Sequence, residues 1–226
     1  MTNNASTGRI ATVATRTSGV GGSISRLSGV VRLSALVVSF TGVETVALVV
    51  WLALVRDVPA TSTTAAVGLG VLGVGLLLEH YLTNRAVNGA GASFPLGRGA
   101  LFSASEAVLW ALWLGIAERV AGARGLLVAA VVLAVLLVPQ HTVEDNVLRG
   151  RGLFSSVLDP RTIGFSVIES AGATVWLAFV LHGDEAAPLL RDLGAAGVDP
   201  EIVGIAVLAA SLLVEHVVGV SLSRRR

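Results

Sequence analysis

Six apolar segments, near residues 33–55, 64–83, 100–118, 125–144, 163–182 and 201–221, dominate the chain. A helix rises about 1.5 Å per residue, so roughly 20 residues cross a hydrocarbon core about 30 Å thick. Each segment has that length. Lipid offers the backbone no hydrogen-bond partners, so spanning segments must pair their own polar groups, and continuous runs of this kind do so as helices. The predicted fold is an all-α integral membrane protein with six transmembrane helices. Composition agrees: 14% of residues are charged and 54% hydrophobic, against about 25% charged in a soluble domain.

The basic residues set the expected orientation. All of them are arginine, and they gather in alternate connections. Arg9, Arg16, Arg26 and Arg32 precede the first segment, and Arg85 and Arg98 lie between the second and third. Arg149, Arg151 and Arg161 follow the fourth, and Arg224 to Arg226 end the chain. The 183–200 connection carries mostly acids and is long enough for a short surface helix. The positive-inside rule then places both termini in the cytoplasm. The chain divides into a Ser/Thr/Gly-rich disordered cytoplasmic tail (1–31) and a first helical hairpin (32–84). A loop with a second hairpin (85–148) follows, and then a loop, a third hairpin and a basic C-terminus (149–226).

The hairpins share one pattern, Phe-x-x-x-Glu-x-x-x-x-x-x-Trp-Leu. It appears at Phe40, Glu44 and Trp51, at Phe102, Glu106 and Trp113, and at Phe165, Glu169 and Trp176. A Ser or Thr follows each Phe: Thr41, Ser103 and Ser166. Spacings of four and seven residues put Phe, Glu and Trp on one helix stripe. Each second helix of a hairpin ends in Glu79-His80, Gln140-His141 or Glu215-His216. The expectation is three in-out-in hairpin repeats with pseudo-threefold symmetry about the membrane normal. If the Glu and His of one hairpin are level, Trp51 faces Gly73, Trp113 faces Ala134 and Trp176 faces Ala209. Small residues opposite an indole suit close helix packing.

A carboxylate inside a membrane helix is costly and marks a functional-site hypothesis. The candidate ligands are Glu44, His80, Glu106, His141, Glu169 and His216. Trp51, Trp113, Trp176, Glu79, Gln140 and Glu215 support them. Glu144 and Asp145 lie on the face of His141 and could join. Imidazole with carboxylate suits a transition metal ion, Zn, Fe, Mn, Ni or Cu. Glu and His also serve as proton relays in pumps and transporters. The first reading is a membrane protein whose buried Glu/His layer binds or transports a cation. The alternative is a structural or interaction protein whose Glu–His pairs fix helix packing. A haem held by two of His80, His141 and His216, or a metal-dependent membrane enzyme, is a further alternative.

Several classes are excluded or disfavoured. The chain has no cysteine, so it has no disulfide, thiolate site or iron–sulfur cluster. Net charge +1 argues against a nucleic-acid binder, which usually shows a concentrated basic face. Neither His-Glu-x-x-His nor Gly-x-Ser-x-Gly occurs, so the balance leans away from an enzyme. The odd helices also lack the Pro-x-Asp/Glu-x-x-Lys/Arg signature of the mitochondrial carriers, which share the plan of three two-helix repeats. The lipid bilayer is the implied partner. A homo-oligomer or a protein partner in the membrane stays open.

Overall fold

The computed structural model describes residues 19–120 and 122–224. Seven helices follow in order: α1 (Gly19–Val55), α2 (Thr63–Asn88), α3 (Leu96–Arg119), α4 (Gly122–Leu148), α5 (Pro160–Leu181), α6 (Gly183–Asp192) and α7 (Pro200–Arg224). Among the described residues there is no strand. The chain divides into two units at Ser34 and Ala35, and the second carries the helical bundle. The first eighteen residues of the tail lie outside the described residues. Helix is already present at Gly19, ahead of the first apolar segment.

Six helices are long and apolar enough to cross a membrane, the first counted from Gly29. Their outer faces are apolar too. Val46, Val74, Val108, Val135, Val167 and Val217, one from each, are exposed. Water would penalise such a surface and lipid tails would not. The protein is thus a multi-pass, all-helical membrane protein. Between α5 and α7 lies the short helix α6, with Asp184 and Glu185 in its first turn and Arg191 in its last.

Local sequence explains the helix starts. Ser62 caps α2, its Oγ accepting from the Ala65 N–H at 3.0 Å. Asp159 accepts from Arg161 N–H at 3.0 Å ahead of Pro160. Asp199 accepts from Glu201 N–H at 2.8 Å ahead of Pro200. In the last two cases proline occupies a first-turn position where its missing N–H costs nothing. Helix α2 stops at Gly89, whose φ of 93° is a left-handed value that glycine adopts without strain. Despite Pro139, α4 is a single helix.

The core is one apolar cluster beside the polar layer. Trp51, Trp110, Trp113 and Trp176 are all fully buried. In the even-positioned helices Leu76, Leu137 and Leu212, four residues before each histidine, are buried at 0% exposure, as are Leu72 and Leu208. A heptad-like stripe therefore points inward on each of these helices.

Helix register departs from the level arrangement. A Cβ on Gly73 would meet nothing within 4 Å. Gly68 takes the place beside Trp51: its Cβ would lie 3.5 Å from the indole Cδ1. Likewise Gly204, not Ala209, approaches Trp176, at 3.2 Å. Both shifts are five residues, about 7.5 Å of helix. The Glu and His of one hairpin are therefore not level. Trp113 donates its indole N–H across to Thr174 of α5 at 3.3 Å.

Candidate cation site

Each histidine pairs with the glutamate of the following hairpin, not with its own. His80 of α2 points its Nε2 at Glu106 Oε2 of α3, 3.7 Å away. His141 of α4 does the same to Glu169 of α5 at 3.2 Å. His216 of α7 returns to Glu44 of α1, also at 3.2 Å. The register shift explains this exchange, because it carries each histidine past its own hairpin's glutamate.

The other side of each imidazole is equally regular. Thr41 Oγ1 lies 2.8 Å from His216 Nδ1, Ser166 Oγ 2.9 Å from His141 Nδ1, and Ser103 Oγ 3.5 Å from His80 Nδ1. Thr41 spends its own proton on the Val37 carbonyl at 2.9 Å, and Ser103 spends its proton on Gly99 at 2.9 Å. Those hydroxyl oxygens are left as acceptors, so Nδ1 carries the proton there. The phenylalanine preceding each hydroxyl packs on the same ring, with centroids 4.6 Å apart for Phe40–His216, 5.1 Å for Phe165–His141 and 6.2 Å for Phe102–His80. Phe, Ser/Thr and Glu of each odd-positioned helix therefore act together on one histidine.

Inside this ring Glu44, Glu106 and Glu169 converge. Each offers an oxygen within 4.8 Å of the other two, and all three are buried. Among the described residues, Glu44 Oε2 and both oxygens of Glu169 have no hydrogen-bond partner, although Glu44 Oε2 and Glu169 Oε2 each face an imidazole Nε2 at 3.2 Å. Glu106 receives, among the described residues, only the Trp110 indole N–H, at 3.4 Å. Trp110 thus belongs to the core and the layer at once. At an effective dielectric of about 20, two unit charges about 5 Å apart repel by roughly 3 kcal/mol. Three such carboxylates call for positive charge among them.

The flanking residues divide. Glu79 and Glu215 turn into the layer although each sits about 100° from its histidine on the helix. Glu79 Oε2 lies 3.1 Å from His80 Nδ1, and Glu215 Oε2 lies 3.1 Å from His216 Nε2. Gln140 turns away to α3: Ser105 donates to its Oε1 at 2.9 Å, and its amide donates to the Phe102 carbonyl at 3.1 Å. Glu144, one turn beyond His141, instead reaches His80 Nε2 at 3.6 Å. Its position on the face of His141 was the available signal, but that face did not reveal that the partner would be on α2.

A cavity of about 70 Å³ opens from the three glutamates and is also lined by Glu79, Glu144 and Glu215. That is room for a few waters or one partly hydrated ion. At the loop end it meets Asp145, which binds Arg149 at 2.8 Å, Arg151 at 3.0 Å and the Ser223 hydroxyl at 2.8 Å. At the opposite end of the bundle, away from the cavity, Arg56 joins α1 to α7 through Glu201 at 2.9 Å. This bond and the neighbouring Asp57 raise the Arg56 pKa further. His182 caps α5 and lies 3.6 Å from Glu185, so it takes no part in the layer.

Comparison with protein-family models, curated proteins and solved structures gives no match to this chain. The functional reading therefore rests on geometry alone.

Proposed function

We propose that this membrane protein binds a cation among Glu44, Glu106 and Glu169 and admits it through the acidic cavity from the cytoplasmic side. One observation carries the reading: three buried carboxylates converge, and among the described residues three of their oxygens accept no hydrogen bond, although Glu44 and Glu169 each face an imidazole Nε2 at 3.2 Å. Buried carboxylates are normally paired, hydrogen-bonded or bound to metal. The three histidines supply part of the compensation and a cation supplies the rest. The site suits an ion better than a porphyrin, because every imidazole Nε2 faces carboxylate. The repeated His–Glu, His–hydroxyl and His–Phe contacts support three hairpins related by pseudo-threefold rotation about the membrane normal. The arginine distribution supports cytoplasmic termini. Transport follows if the cation can also leave across the tryptophan layer.

The test is elemental mass spectrometry on purified full-length protein, with divalent and monovalent cations offered in turn. A stoichiometric ion lost in Glu169→Gln is the expected result. No retained ion in the wild type, under any of these conditions, overturns metal binding.

A structural role is the second reading. It is favoured by the His216–Glu44 contact, which links the last hairpin to the first. Intramembrane polar contacts contribute about 1 kcal/mol each, so this reading alone leaves the convergence of three buried carboxylates unexplained.

A further inference from the structure

We infer that the layer holds a second, chemically different metal site, formed by His80, Glu144 and Glu106 and taking a first-row divalent ion such as Mn²⁺, Fe²⁺, Co²⁺ or Zn²⁺. The inference rests on the cation reading above and adds a nitrogen ligand to it.

The three histidines are not equivalent. His80 Nδ1 faces the Leu76 carbonyl at 2.6 Å and Glu79 Oε2 at 3.1 Å, both acceptors. A proton therefore sits on Nδ1, and Nε2 is the atom left to take a metal ion in place of a second proton. That atom is buried and, among the described residues, without a hydrogen-bond partner, and the residue is only 3% exposed. Two carboxylate oxygens stand before it, Glu144 Oε1 at 3.6 Å and Glu106 Oε2 at 3.7 Å. Two carboxylates before one nitrogen call for positive charge between them, which a proton on Nε2 or a bound metal ion supplies.

The separations fit that cation. They are too long for hydrogen bonds. Metal–ligand bonds of about 2.1 Å at tetrahedral angles put neighbouring donor atoms about 3.4 Å apart. Glu79, His80 and Glu144 each offer an atom within 4.8 Å of the others. Glu79 holds the ring from behind, as a carboxylate commonly holds a metal-binding histidine. One imidazole with carboxylates suits borderline first-row ions, whereas an all-oxygen trio suits harder ones.

Glu144 confines the site to one of the three positions. Three residues after the histidine, the other two hairpins carry Thr83 and Gly219. Thr83 donates its hydroxyl proton to Glu79 at 2.5 Å, and Gly219 has no side chain. Glu106 belongs to the three-carboxylate group and also lies 3.7 Å from His80 Nε2, so it would bridge the two ions.

The probe is Co²⁺ alone, titrated into full-length protein in nanodiscs, with bound metal counted and pulsed electron paramagnetic resonance read for imidazole nitrogen coupling. Wild type binds two Co²⁺ and shows the coupling. His80→Gln and Glu144→Gln each bind one, with the nitrogen-coupled ion at least tenfold weaker. Glu169→Gln also binds one, but keeps the coupling. Absence of nitrogen coupling in the wild type, or its survival in Glu144→Gln at unchanged affinity, overturns the second site. Full stoichiometry in Glu169→Gln instead overturns the three-carboxylate reading and leaves the His80 site standing. Because the wild-type spectrum decides by itself, a misfolded His80→Gln does not rescue the proposal.

Discussion

His216 in the last helix lies 3.2 Å from Glu44 in the first, Nε2 to Oε2, while its Nδ1 donates to Thr41 at 2.8 Å. A single imidazole thus binds two residues of α1 spaced one turn apart. The contact joins parts of the chain that the sequence separates most widely.

Removing the hydroxyl tests that clamp. Thr41→Val keeps the shape and takes away the Nδ1 acceptor, so it should destabilise the protein by about 1 kcal/mol. Thermal unfolding in detergent measures this, with Ser39→Val, on the exposed face, as the control. Equal effects of the two changes would show that the hydroxyl does nothing for His216.

The glutamates should behave in the opposite sense in metal-free protein. Glu169→Gln removes one of three mutually repelling buried carboxylates, together with its 3.2 Å contact to His141. It should raise metal-free stability by about 1 kcal/mol, since the repulsion relieved within the trio exceeds the roughly 1 kcal/mol of one intramembrane polar contact. The same variant should lose the metal-dependent gain, which at 100 times the Kd is about 2.7 kcal/mol. A metal-free Tm below the wild type would show that Glu169 is already compensated within the protein.

Close packing between α5 and α7 offers a third measurement. A Cβ at Gly172 would collide with the side chain of Ser211. Gly172→Ala should destabilise by about 1–3 kcal/mol. Adding Ser211→Gly should recover part of the loss, although glycine in a helix itself costs about 1 kcal/mol. No recovery in the double variant would place the strain elsewhere.

Topology is checked by cysteine labelling, convenient because the chain has no cysteine of its own. Exposed positions suit it: Ala90 after α2 and Ala196 before α7. With cytoplasmic termini, Ala196→Cys labels from outside in intact cells and Ala90→Cys only after permeabilisation. The reverse pattern would invert the protein and put the acidic cavity on the outer face.

The six helices and the inward stripe of Phe, Glu and Trp were legible in the sequence, because hydropathy and helical period depend on the chain alone. Leu76, Leu137 and Leu212 follow from the same period. Which neighbour each stripe meets was not legible. Period gives a face and a height, whereas a shift of five residues, as from Gly73 to Gly68, changes the partner of every side chain on the stripe. Glu79 illustrates a second limit. Its Cα direction points away from the layer, but its flexible side chain reaches back to His80 at 3.1 Å. Gln140 occupies the equivalent place, and its amide finds the Phe102 carbonyl instead.

Pairing each histidine with the next hairpin makes connectivity and site separable. None of the three hairpins holds a complete His–Glu contact of this kind, and all three contacts cross a boundary between hairpins. Expressed as a separate chain, one hairpin would carry a histidine that lacks its glutamate and a glutamate that lacks its histidine. Those two ends complement each other, so copies of it could satisfy one another only by joining head to tail, and three copies would close the ring. In the single chain, the order in which hairpins are made is then immaterial to the chemistry. A permuted gene that opens with the second hairpin would reassemble the same layer.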